Sequence, residues 1–530
     1  MSTASILPAA ARTRRKVSIR RLAAWLSARA GDPKAGLWLV TGFAAVHAVL
    51  WTVILVNLKT GQDVHMDVAE AFAWGQKFLL GYGKHPPLSG WVTGVWFRIF
   101  PVTDWATYAL AMTTLGCSLV ICWLIALRVV DGRRAFFVVV MLALYPIFNF
   151  KGFKYNPDLL QLVTLPLVVL AYLDAFEKRS VKSGVWLGLA GALAMMTKYW
   201  ALTVIGAVGL AALIHPARLM FLRSPAPWVA IATFAVAMIP HLTWLVESNF
   251  APLAYAGGTY ELSNYAQTLQ LVLGYIGHNL GLLAAPVALA AIALAWPSRW
   301  RMPSFWSRGA NSGVQTSQAL NVWIIQAIVA IGPPIGALIF EVYIKTDWGI
   351  PLFFLVPLAL VAIPQLRIRR LALFNLTAIW LLITLAVLAA SPRIAVYEVG
   401  QNGNEGATYR ARSELAHELT EAWHTRFHSR FPAVVAYMDV GQPITFYSID
   451  HPAPLTPDEP SSGLTSLEEV KRSGFIGVCE AGDWKLQYCE AWMKQHAANG
   501  ERMVITTRRF FVGKPGPATA WNVIIVPPAK

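Results

Sequence analysis

A polytopic α-helical membrane protein carrying a C-terminal α/β domain is the fold class this sequence predicts, from three observations. The 530-residue chain is 56% hydrophobic, with a mean hydropathy of +0.50. Only 14% of its residues are charged, where soluble domains carry about 25%. Apolar runs of spanning length recur as far as about Ala390, and after that the composition turns polar.

The N-terminal stretch through Lys34 holds Arg12, Arg14, Arg15, Lys16, Arg20, Arg21 and Arg29. It is too long and basic for a cleaved signal peptide, so residues 1–36 read as an uncleaved cytoplasmic leader. Apolar runs follow at about 37–57, 105–130, 135–150, 159–176, 183–197, 199–215, 227–246, 266–296, 321–343, 350–365 and 371–390, giving about eleven predicted spans. With the N-terminus inside, the predicted inner loops are DGRR (131–134), EKRSVK (177–182), HPARLMFLR (215–223), PSRWRMPSFWSR (297–308) and QLRIRR (365–370), and all of them are basic. Arginine clustered this way follows membrane topology, so the formal charge of +16 does not point to nucleic acid. The 22 tryptophans suit interfacial belts.

Residues 391–530 contain no spanning run. Residues 407–427 read as an amphipathic helix, and 433–438, 474–479, 503–512 and 521–526 read as strands. An odd number of spans puts this domain outside. There a disulfide between Cys479 and Cys489 is expected, while Cys117 and Cys122 read as packing residues inside a span.

Four predicted outer loops carry the chemistry. The first, MDVAEAFAWGQKFLLGYGKHPPLSGW (66–91), puts Asp67, Glu70 and Trp74 on one helical face. Its glycines and Pro86-Pro87 then form a rigid turn holding Lys84 and His85. The second, KGFKYNPDLL (151–160), brings Tyr155, Asn156 and Asp158, where Asp158 reads either as a helix cap or as a site residue. TKYW (197–200) adds Lys198 and Tyr199, and IKTDWGIP (344–351) adds Asp347 and Trp348. A carboxylate base, lysines facing a phosphate leaving group and a lipid-facing cleft suit glycosyl transfer from a polyprenyl-phosphate sugar. No Walker A sequence and no strand-anchored G-x-G-x-x-G is present, so no nucleotide cofactor is expected. His424 and His428 have metal-ligand spacing on the 407–427 helix, but a solvated face explains them as well, and no metal site is assigned.

The first outer loop resembles that of GT-C glycosyltransferases, in the branch of protein O-mannosyltransferases, lipid A aminoarabinose transferases and rhizobial lipopolysaccharide galacturonosyltransferases. The likeness rests on Asp67, Trp74, Gln76 and the G-Y-x-x-H-P-P-L turn of Gly81, Tyr82, His85, Pro86, Pro87 and Leu88. It extends to Asn156 and Asp158, to Thr197-Lys198-Tyr199, and to Asp347, Trp348 and Pro351, thus covering most of 37–390. The resemblance implies a GT-C membrane domain over 37–390 and an inverting transfer to a periplasmic acceptor such as lipid A or lipopolysaccharide core. In that reading Asp67 is the base, with Glu70 as helper. Lys84 and Lys198 contact the donor phosphate, and Trp74, Tyr82, His85, Tyr155, Asn156, Asp158, Tyr199, Asp347 and Trp348 line the substrate site. Many relatives place Glu directly after the acid. Here Val68 and Ala69 intervene, so Asp67 acts either alone or with Glu70. A transporter or lipid flippase is the alternative, and it predicts inverted repeats and mid-membrane acids.

Overall fold

The structure is a computed structural model describing residues 18–259, 262, 264–296, 306, 313–402, 407–457 and 463–529. Arg12, Arg14, Arg15 and Lys16 of the leader, and most of the 297–308 loop, lie outside the described residues. Among the described residues, seven helices are long and apolar enough to cross a membrane: 33–59, 104–129, 157–178, 225–247, 265–295, 316–340 and 370–400. Two shorter apolar helices, 181–197 and 199–214, match further predicted runs.

The remaining two predicted spans depart from regular helix, and proline explains both. Helix 132–143 is followed, after a bend of 78°, by 3₁₀ turns covering 146–153. Tyr145, before Pro146, is extended (φ −71°, ψ 127°), as the proline ring requires of its predecessor. The 350–365 run is interrupted by Pro351, Pro357 and Pro364. It forms a 3₁₀ segment at Thr346–Leu352 and a six-residue helix at Val356–Val361. This segment still traverses the bundle. Asp347 lies at one end, while the Leu366 carbonyl accepts a 3.0 Å hydrogen bond from Arg134 at the other. Irregular backbone is tolerated at that depth only when protein covers it, and Leu352, Phe354, Leu355, Leu358 and Val361 are all buried.

The C-terminal part is a five-stranded sheet ordered β2-β1-β3-β5-β4, built from β1 (433–435), β2 (453–455), β3 (475–480), β4 (501–511) and β5 (514–526). β1 is parallel to β2 and β3, whereas β5 runs antiparallel to β3 and β4. Helices 412–427 and 438–447 cover one face, and Leu415, Leu419, Trp423, Ile444, Ile476 and Trp521 form that core. Helix 486–496 lies at the other face, tied to β3 by the Cys479–Cys489 disulfide. The domain sits on the cavity end of the helices. The Val64 amide donates to Tyr447 Oη (2.7 Å), and Phe446 packs edge-on against Phe72 (centroids 5.3 Å apart).

Candidate active site

Helix 66–75 supplies Asp67. Its N-cap is His65, whose Nδ1 lies 3.2 Å from the Asp67 amide and 3.4 Å from Asp67 Oδ1. The ring accepts from the amide when neutral and pairs with the carboxylate when protonated. Asn156 caps helix 157–178, its Oδ1 accepting the Leu159 amide at 2.9 Å, while its Nδ2 donates to Asp67 Oδ2 at 2.9 Å. Both ends of the amide are therefore committed, and the cap of this helix is Asn156 rather than Asp158. Lys154 Nζ adds a cation 3.6 Å from Asp67 Oδ2. Burial by itself would raise the Asp67 pKa. The His65 bond and charge, Lys154 and Asn156 outweigh it and hold the carboxyl below the usual range.

Asp67 opens onto a cavity of about 200 Å³ lined by Ile147, Lys151, Phe153, Lys154, Asn156, Asp158, Lys345, Asp347 and Ile350, among others. The bent 146–153 segment forms one wall and the 346–352 turn forms another. His47 Nε2 donates to the Phe148 carbonyl (2.6 Å), and Nδ1 accepts from Trp380 Nε1 (3.1 Å), which pins the first wall to two spanning helices. Asn279 Nδ2 donates to the Thr346 carbonyl (3.2 Å) and pins the second. At the rim, Lys198 Nζ pairs with Asp158 Oδ1 (2.7 Å) and lies 5.4 Å from the Trp348 ring centroid.

The loops thus meet as the sequence arranges them, but not every predicted side chain reaches the cavity. Asp67, Asn156, Asp158 and Asp347 line it, and Lys198 with Trp348 stands at its rim. Glu70 and Lys84 form a buried ion pair (2.5 Å) instead, with Lys84 also 3.2 Å from Met438 Sδ of the C-terminal domain. Asp67 and Glu70 share a helix face by spacing but have separate partners. Trp74 and Tyr82 stack at 5.1 Å inside the protein, Tyr82 Oη meets the carbonyls of Trp74 and Lys77, and His85 packs edge-on to Trp74. Burial, then the Lys198 and Lys84 charges, push His85 well below its ordinary pKa and keep it neutral. Tyr155 is buried with its hydroxyl on the Ser89 carbonyl (3.3 Å), and Tyr199 Oη donates to His241 Nε2 (2.9 Å). These aromatics build the frame around the turn.

From the sequence, Lys151, Lys154 and Lys345 are outer-loop cations suited to a phosphate ligand but not assigned to the site, and His65 and Asn279 carry no role. The lysines were visible as loop cations, but nothing local separates a cavity lysine from a solvated one. Histidine is not a favoured N-cap, so His65 carried no signal. Of the C-terminal residues, His424 pairs with Asp450 (2.6 Å). The carboxylates of Asp439, Glu480 and Asp483 lie close enough to share a cation. Arg410 on Glu480 (2.5 Å) and Arg412 on Asp439 (3.5 Å) already supply positive charge there.

Fold and site together define a multi-span membrane protein whose acid- and lysine-lined cavity lies at one end of its helices, beneath a sheet domain. Residues 84–244 match the family described as dolichyl-phosphate-mannose-protein mannosyltransferase. With the loop motifs, this match relates the chain to the GT-C glycosyltransferases. A curated relative, the lipid A galacturonosyltransferase RgtD of Rhizobium johnstonii, is 24% identical over 273 residues, which is 49% of this chain and 54% of the relative. The chain therefore spans about half the length of that relative. Among solved structures, ArnT from Cupriavidus metallidurans bound to undecaprenyl phosphate aligns over 92% of this chain and 98% of its own, at 15% identity and a TM-score of 0.47. The oligosaccharyltransferase AglB from Archaeoglobus fulgidus aligns over 89% and 74%, at 11% identity and a TM-score of 0.33.

Proposed function

We propose that this chain is an inverting glycosyltransferase that moves a sugar from a polyprenyl-phosphate donor onto lipid A or a related lipopolysaccharide acceptor, with its cavity on the periplasmic face of a bacterial inner membrane. The observation that carries the reading is Asp67, held ionised by His65, Lys154 and Asn156 at the mouth of a cavity lined by further lysines. In this reading the acceptor hydroxyl oxygen attacks the anomeric carbon, the carbon–oxygen bond to the donor phosphate breaks, and the hydroxyl proton passes to Asp67. A carboxylate held well below neutral is a weak base. The proton therefore moves late, as the bond to phosphate breaks. Lys198 and the cavity lysines balance the charge growing on the phosphate.

Lys84 fits a supporting role better than a direct phosphate contact, because it is buried against Glu70. Lys151 and Lys345 line the cavity, and neither has a carboxylate within ion-pair distance among the described residues. An anionic group on the sugar or acceptor would pair with them, and a hexuronate such as the galacturonate named for RgtD fits. Asp67 and Asp158 lie in the first turns of their helices and Asp347 in the 346–352 3₁₀ turn, at the cavity end of the bundle, whereas the transporter alternative needs acids at mid-membrane.

Membranes containing the protein should transfer labelled sugar from polyprenyl phosphate to lipid A, and Asp67→Asn should lower that rate by about a hundredfold or more at equal protein level. Undiminished transfer by the variant would remove Asp67 from the base role.

A further inference from the structure

Residues 62–64, just before the Asp67 helix, are held almost entirely from the C-terminal domain. The Asp63 carboxylate is 1% exposed. Its Oδ1 accepts from Arg509 Nη1 (2.7 Å) and Ser413 Oγ (2.7 Å), and its Oδ2 accepts from the Arg412 amide (2.8 Å). The backbone is captured too: the Asp63 amide donates to the Thr408 carbonyl (2.8 Å) and the Val64 amide to Tyr447 Oη (2.7 Å). Gln62 adds bonds to Tyr409 Oη (2.7 Å) and Thr408 Oγ1 (3.1 Å).

A buried carboxylate is costly unless every lone pair is met, and Arg509, from β4, brings the opposing charge. Three residues separate Asp63 from Asp67, and the helix begins between them at Met66. The segment has little freedom to absorb a shift, so displacement of Asp63 carries through to the Asp67 carboxylate. Bonds from Asn156 and Lys154 then no longer align with it. A misplacement of about 1 Å is enough to cost about a hundredfold in rate.

We infer that Arg509 is a positioning residue, acting through Asp63, by which the C-terminal domain sets the orientation of Asp67 in the cavity. The inference rests on the transferase reading for its kinetic consequence and on the geometry alone for its structural one.

Both arms use the full-length protein in detergent. Arg509→Ala should speed amide hydrogen exchange in residues 64–72 at least severalfold, and should lower kcat about tenfold or more with donor KM changed less than about twofold. Ser413→Ala removes one bond to the same oxygen and keeps the charge pair, so it should give a smaller effect in the same direction. It also serves if Arg509→Ala fails to fold. Added guanidinium ion should restore part of the lost rate to Arg509→Ala. If exchange at 64–72 and kcat both match the wild type while thermal stability falls, Arg509 is a domain anchor only and the inference is wrong. Should the wild type transfer no sugar at all, the exchange arm still decides whether the clamp orders the Asp67 helix.

Discussion

Asn156 joins two jobs in one side chain, capping a helix with its oxygen and steadying Asp67 with its nitrogen. That arrangement, with Lys154 beside it, predicts how pH acts on the rate. Lys154→Ala removes a cation 3.6 Å from the carboxylate, so the Asp67 pKa rises toward its ordinary value of about 3.9. The base must be ionised to accept a proton, and the acid limb of kcat/KM against pH should therefore move to higher pH in the variant. A limb that stays put would show that another group controls it. Linkage has the same sign. A depressed carboxyl stabilises the fold above about pH 4 and loses that contribution as pH falls through its lower folded value. The types and spacing of these residues were legible in the sequence. Their pairing was not, because Asp67 and Asn156 are 89 positions apart.

Where elements meet, close backbone approach decides what can be changed. Helices 66–75 and 88–99 cross at Gly75 and Gly94, and a Cβ at Gly75 would lie 2.6 Å from the Gly94 nitrogen. Gly94→Ala should destabilise the protein by about 1–3 kcal/mol, seen as a lower Tm in detergent. An unchanged Tm would mean the helices separate without cost. The 346–352 turn is equally tight, since a Cβ on Gly349 would overlap the Asn279 amide. Gly349→Ala should displace Asp347 and lower transfer by about tenfold or more, measured alongside protein level. Wild-type transfer would exclude a role for that wall. Most spanning helices were read to within a few residues, because twenty apolar positions leave few alternatives in lipid. The 350–365 run misled, since hydropathy registers burial while proline decides backbone form. Helix 438–447, with Gly441 and Pro443 inside it, was missed because packing under the sheet overrides its weak propensity.

At the scale of the whole molecule, the C-terminal domain and the cavity share one end of the bundle, while Arg134 and Arg218 mark the other. The proposed topology places the first end outside. In cells with a permeabilised outer membrane, an impermeant maleimide should label Trp484→Cys and leave Arg218→Cys unlabelled until the inner membrane is opened. The reverse pattern would invert the orientation and move the cavity to the cytoplasm. Trp484 is 79% exposed, so its accessibility depends on sidedness alone.

By itself the sequence determined the membrane class, the approximate spans, the basic loops and the four segments where acids, lysines and aromatics gather. These follow from composition and local periodicity, which the bilayer reads residue by residue. Only the tertiary structure decided that Lys84 turns to Glu70, that Asn156 and Lys154 face Asp67, and that Asp63 belongs to Arg509. Each of these pairings joins residues from different elements, and a buried charge takes the partner that packing brings within reach.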